Sequence, residues 1–122
     1  MMKPPVEVTP SPWFVRRIKK LHKRYRHIRQ DTEPLIEQLR GGETPGNHVQ
    51  AKGYTIYKVR LPNRDARRGK SGGYRVIYYL LTKNRVILLT IYAKSDRNDI
   101  SLDEIRAILA DLPENDDASG DE

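Results

Sequence analysis

The sequence contains no cysteine, which excludes disulfides, zinc–thiolate centres and thiol nucleophiles and fits a reducing compartment. Histidine is scarce. His22, His27 and His48 are scattered, and none has metal-ligand spacing with another histidine or a carboxylate cluster. Neither a metal nor a cofactor is expected. No apolar run approaches the roughly 18 residues of a membrane span. The opening MMKPPVEV lacks the apolar segment of a secretory signal. The expected location is cytoplasmic, with no membrane partner. The glycines beside Lys70 do not complete the G-x-x-x-x-G-K-S/T frame of a phosphate loop, so nucleotide binding of that type is excluded too.

Positive charge is what the chain has in excess. It carries 23 basic against 16 acidic residues. Asp111 and everything after it hold six acidic residues and no basic ones, so residues 1–110 carry 23 basic against 10 acidic. A field of that sign attracts polyanions: nucleic acid first, then an acidic protein, then an anionic membrane. With 122 residues the chain is read as one domain, 1–112, followed by an acidic disordered tail, 113–122.

Val6 to Val8 alternate with Glu7 and suit a short edge strand. Ser11-Pro12 reads as a helix start. Phe14, Ile18, Leu21, Tyr25 and Ile28 then recur at helical spacing among arginines and lysines. A second helix runs to about Arg40, with Asp31, Glu33 and Pro34 in its first turn and Gly41-Gly42 as its stop. The two helices are expected to form an antiparallel hairpin. Residues 43–53, ETPGNHVQAKG, read as a loop. Three strands follow, separated by the basic loop PNRDARRGKSGG and by a two-residue turn at Lys83-Asn84, where Asn84 tolerates a left-handed conformation. The last helix starts at Ser101, with Ser101 and Glu104 as a capping box and Leu102, Ile105, Ile108, Leu109 and Leu112 as its buried stripe. Pro113 ends it. The fold class is α+β: a small antiparallel sheet with an N-terminal helical hairpin and a C-terminal helix.

Strict alternation places Ile87, Leu89, Ile91 and Ala93 together against the helices. Lys58, Arg60, Arg75, Tyr79, Thr90, Tyr92 and Lys94 then share an exposed face. The loop adds Arg64, Arg67, Arg68 and Lys70 against a single Asp65. Such a cationic platform suits a phosphate backbone. It also permits RNA cleavage, because the 2′-hydroxyl is an internal nucleophile. Arginines stabilise the charge that builds on phosphorus, and a lysine crowded by cations can serve as a base. Residue types alone leave binding and cleavage both open. Asp96 and Asp99 follow the third strand; Asp99 suits the start of the last helix, and Asp96 suits holding Arg97 or a lysine.

The segment YKVRLPNRDARRGKSGGYRVIYYLLTKNRVILLTIYAKSDRNDIS resembles the RelE/ParE toxin superfamily of type II toxin–antitoxin modules, and most of all its HigB-like RelE toxins. They share the basic glycine-containing loop, the GG-x-R-V-IYY strand and the LLTIY-x-K strand. The resemblance covers residues 54–109 well. It implies the RelE-like α+β fold and a ribosome-dependent mRNA endoribonuclease. Such an enzyme needs no metal and leaves a 2′,3′-cyclic phosphate. It further implies a cognate antitoxin, a small helix-turn-helix protein in HigB-like modules. The catalytic residues it implies are Lys58, Arg60, Arg75 and Lys94. Ser95 and Ser101 stand where the best-known pattern has an arginine and a tyrosine, so Tyr92, Asp96 and Arg97 are the candidates for catalytic support. Arg64, Arg67, Arg68 and Lys70 are the candidate RNA-binding residues. The alternatives are a ParE-like toxin of DNA gyrase and a non-catalytic RNA-binding relic of the family.

Overall fold

A computed structural model describes residues 5–66 and 72–113. Arg67, Arg68, Lys70 and the tail beyond Pro113 lie outside the described residues. The elements run β1 (Glu7–Pro10), α1 (Pro12–His22), α2 (Ile28–Arg40), β2 (Asn47–Ala51), β3 (Tyr54–Leu61), β4 (Tyr74–Thr82), β5 (Arg85–Ala93) and α3 (Leu102–Ala110). The strands form one five-stranded sheet in the order β1-β5-β4-β3-β2. Only β1 pairs in parallel, with β5; the other pairings are antiparallel.

Two layers of core flank this sheet. On one face, Phe14, Ile18 and Leu21 of α1 and Ile28, Leu35 and Leu39 of α2 bury Val59, Leu61, Val76 and Tyr78. On the other, Ile105, Ile108 and Leu109 of α3 bury Ile56, Ile77 and Leu89. The helix starts follow their sequence signals. The Ser11 hydroxyl accepts from the Phe14 N–H at 3.1 Å, and the Ser101 hydroxyl accepts from the Glu104 N–H at 3.1 Å. Each satisfies a backbone donor that the helix itself leaves orphaned.

Several expectations are corrected. Residues 47–51, read as loop, form the edge strand β2, paired with β3 from Asn47↔Lys58 to Ala51↔Tyr54. Its polar letters fit an edge strand that is mostly exposed. The first helix stops at His22 rather than near Ile28. The turn that follows stays nearly helical, with the Arg24 and Tyr25 N–H groups both reaching the Leu21 carbonyl. Tyr25 and Ile28 therefore keep the phase of the helix without belonging to it. Pro34 lies inside α2, not in its first turn. There it leaves the carbonyl of the exposed residue Gln30 without an intrahelical donor. The Lys83-Asn84 turn closes β4 onto β5 as expected, with Thr82 opposite Arg85. Asn84 is not left-handed, since among the described residues only glycines have positive φ.

The alternation of β5 is also broken. Ile77 pairs with Thr90 but Tyr78 pairs with Leu88, so Leu89 is an extra residue in the ladder. This β-bulge shifts the side-chain phase by one. Val86, Leu88, Ile91 and Ala93 consequently face α1 and α2, while Ile87, Leu89 and Tyr92 face α3. The bulge is held by Ser11, whose N–H donates to the Leu88 carbonyl at 2.9 Å and whose hydroxyl donates to the Leu89 carbonyl at 2.8 Å.

Candidate functional site

Register decides which cations meet. Arg60 stands directly opposite Arg75, and Arg75 directly opposite Tyr92. Lys58 lies two residues before Arg60 and faces Ile77, while Lys94 lies two residues after Tyr92. Residues two apart in a strand share a face, so all four candidate catalytic cations are on the face that carries α3. Like charges directly across a ladder are destabilising. The Arg60–Arg75 pair is therefore a local rule broken at a place where function is the natural reason.

The face is less open than alternation suggested. Arg75, Thr90 and Tyr92 are buried, at 9%, 5% and 2% exposure, and Tyr79 packs partly against the α3 core. Arg60 is exposed and Lys94 half-buried. Among the described residues, neither the Arg60 nor the Lys94 side chain has a hydrogen-bond or ion-pair partner.

The β3–β4 loop returns to the sheet through Gly72 and Gly73, both at positive φ, 89° and 64°. A β-carbon on Gly73 would run into the Leu61 carbonyl, so glycine is required for the strands to meet here. Arg75 Nη1 donates to the Gly72 carbonyl at 2.5 Å and to the Tyr74 carbonyl at 3.3 Å. A β-carbon on Gly72 would stand 3.6 Å from Arg75 Nη2 and 3.3 Å from Lys94 Cγ. The Arg75 guanidinium and the stem of Lys94 thus both lie beside Gly72, next to a hollow lined by Arg60, Asn63 and Arg64.

Lys58 has a different setting. Its Nζ lies 2.8 Å from Asp99 Oδ1, which also accepts from the Ile100 N–H at 2.8 Å and the Tyr92 hydroxyl at 3.3 Å. Lys58 is therefore paired with a carboxylate and is not a lysine crowded by cations. The hydrogen bonds from Lys58 and then from the Ile100 N–H hold the Asp99 carboxyl below the usual carboxylate range. Burial, and then Asp99, push the Tyr92 hydroxyl up to about 12.

The supporting residues are also reassigned. Asp96 holds neither Arg97 nor a lysine; it pairs with Arg24, from the turn after α1, at 2.9 Å. Arg97 lies over the Tyr92 ring at 5.4 Å and grips Glu104 with two hydrogen bonds, 2.8 and 3.2 Å. Its pKa is raised, chiefly by that pairing. Glu104 therefore closes only half of a capping box, its carboxylate being taken by Arg97. Arg64 donates from Nε and from its backbone N–H to Asp31, at 2.9 and 3.0 Å.

Sequence reasoning missed the parts played by Asp31 and Arg24, and it gave Asp99 a place at the start of the last helix without its bond to Lys58. Asp31 had a usable signal, because it falls in phase with Ile28, Leu35 and Leu39 on the buried stripe of α2. A carboxylate inside an apolar stripe needs a partner. Arg24 gave none, being one cation among many.

Among the described residues no group of histidines and carboxylates could hold a metal ion, and no helix is long and apolar enough to cross a membrane. Residues 15–113 match the RelE toxin of the RelE/RelB toxin–antitoxin system, and the chain belongs to that family.

Proposed function

We propose that this RelE-family toxin is a ribosome-dependent mRNA endoribonuclease. The observation that carries the reading is the pairing of Arg60 with Arg75 beside Lys94, in a place where neither Arg60 nor Lys94 has a counter-ion among the described residues. Such a site fits one phosphate better than it fits the folded protein's own needs.

In the reaction the RNA's 2′-oxygen attacks the adjacent phosphorus and the bond to the 5′-oxygen breaks. A 2′,3′-cyclic phosphate and a free 5′-hydroxyl result. Arg60 and Arg75 hold the non-bridging oxygens and stabilise the charge that grows there. Lys94 takes the proton of the 2′-hydroxyl. Lys58, fixed by Asp99, delivers a proton to the departing 5′-oxygen. The nucleophile belongs to the RNA, so the scheme calls for no metal or cofactor. Tyr92 is buried and bonded to Asp99, so its role is to orient Asp99. The exposed Arg64, with Arg67, Arg68 and Lys70, binds ribosomal RNA. A co-encoded antitoxin, a small helix-turn-helix protein, is the partner that covers the site.

Primer extension on a translated message tests this. Arg75→Ala should lower cleavage by about 10²- to 10³-fold, the usual cost of removing one donor to a developing oxyanion. A thermal melt run beside it accounts for the lost bond to Gly72. Cleavage and growth arrest unchanged by the substitution would refute the assignment. DNA damage appearing before translation falls would instead favour a gyrase-directed toxin.

A further inference from the structure

A second polar cluster lies where the turn between α1 and α2 meets the sheet. Arg24 Nη2 donates to both oxygens of Asp96, at 2.9 and 3.1 Å, and to the Tyr25 hydroxyl at 2.7 Å. Its guanidinium also lies 4.7 Å from the Tyr25 ring, and its pKa is raised, first by Asp96. At the other end of the turn, the His27 backbone N–H and Nδ1 both reach Asp65 at 2.7 Å. One helical turn later Asp31, its side chain 2% exposed, accepts the backbone N–H and Nε of Arg64.

These contacts reach 33 to 72 residues along the chain. They have one thing in common. Asp96 lies two residues past Lys94, and Arg64 and Asp65 lie four and five residues past Arg60. Each contact thus grips the chain just beyond a cation of the candidate active site, one on the β5 side and one on the β3 side. The turn is itself seated on β4, where the Tyr25 ring meets Tyr74 edge-on at 5.8 Å, next to Arg75. A merely solvated turn has no reason to bury a carboxylate at Asp31 or to hold loops on both flanks of the site.

We propose that the α1–α2 turn is the spacer of the active site. Arg24, His27 and Asp31 are positioning residues that hold the β5–α3 and β3–β4 loops at a set separation, so that Lys94 and Arg60 meet the same phosphate. The inference rests on the endoribonuclease reading above. For the Arg24–Asp96 contact this predicts a rate effect without a binding effect, because neither residue is an RNA contact, whereas Asp31 holds Arg64 and its loss should weaken ribosome binding as well.

The test uses the full chain, ribosomes carrying a defined message, and amide hydrogen exchange at residues 63–66 and 94–99. Arg24→Asp should slow single-turnover cleavage about tenfold, less than the roughly hundredfold cost of a full ångström of misplacement. The ribosome concentration for half-maximal rate should not change, and exchange at 94–99 should quicken. Combining Arg24→Asp with Asp96→Arg restores the pair with its charges reversed, and should return rate and exchange to within about twofold of the parent. The Arg24 side chain is 54% exposed and that of Asp96 33%, and neither belongs to the apolar core, so a thermal melt of each variant should show the fold retained. Asp31→Asn should quicken exchange at 63–66, slow cleavage and, because Arg64 is released, also raise the ribosome concentration for half-maximal rate. An unchanged rate in Arg24→Asp, or a reversed pair that fails to restore it, overturns the proposal; the second result would make Arg24 an RNA contact. Should the parent protein cleave nothing, the endoribonuclease reading has failed on its own. Exchange that the reversed pair restores then supports the spacer, and exchange that never changed overturns it.

Discussion

The two ends of one sheet face are built from the same three strands and have opposite characters. At one end, Ile56, Ile77, Tyr79, Ile87 and Leu89 lie under α3, closed over by Ile105, Ile108 and Leu109. At the other, the same face carries Arg60, Arg75 and, just after β5, Lys94, of which Arg60 is exposed, Lys94 half-buried and Arg75 buried. What divides them is a polar seam of Lys58, Tyr92 and Asp99, drawn together at the start of α3. The difference shows how a small sheet serves two purposes. The helix supplies the stability at the end it covers, and on the far side of the seam where it starts the face carries a surface that stability alone would not select.

Ile108→Ala tests the covered end and should have the largest effect. The side chain is fully buried, so the cavity should cost about 2–5 kcal/mol of folding free energy by urea denaturation. The cleavage rate per folded molecule should stay within about twofold. A large rate loss without a stability loss would mean that the two ends are not separable.

Arg60→Ala tests the uncovered end and should do the reverse. Cleavage should fall by about 10²- to 10³-fold. Stability should hold or rise by a few tenths of a kcal/mol, because the substitution removes a like-charge pair across the ladder. Such a trade is expected where a local rule is broken for function. A clear loss of stability would mean that Arg60 has a structural role which its exposure and lack of a partner do not suggest.

How much of this could be read from the letters differs between the two ends. The apolar stripe of α3, its Ser101 cap and the strands β3 to β5 follow from period and capping chemistry, which are local. The sharing of one face by Lys58, Arg60 and Arg75 also follows, since alternation in β3 and β4 is unbroken between them. The bulge at Leu89 was not legible, because it depends on Ser11, 78 residues away, accepting the task of holding two carbonyls. Edge strand β2 was missed because an edge strand needs no apolar run. The ion pairs Arg24–Asp96 and Lys58–Asp99 were out of reach because long-range pairing among many charges leaves no local pattern; for Arg64–Asp31 the stripe of α2 showed that Asp31 needs a partner but not which one. Arg97 was read as a partner of Asp96 and is bound to Glu104 instead.

The seam itself should respond weakly. Tyr92→Phe removes a hydrogen bond that is long at 3.3 Å, so the expected cost is at most about 1 kcal/mol. The alkaline absorbance titration should lose one tyrosine that ionises near 12.

The smallest effect belongs to Asp99. Its carboxyl is held below the usual range by Lys58 first and the Ile100 N–H second. A group whose pKa is depressed on folding contributes stability that is present above its unfolded value, about 4, and is lost as pH falls through its folded value. The side chain is 62% exposed, so solvent screening limits the contribution to between zero and about 1 kcal/mol. Urea midpoints of the parent and Asp99→Asn should therefore differ slightly at pH 7 and converge below pH 4. A gap that widened on acidification would mean that the protonated carboxyl is the one the fold prefers. In that case Lys58 would not be held at the boundary by an ion pair, and the seam would belong to the covered end rather than divide it from the open one.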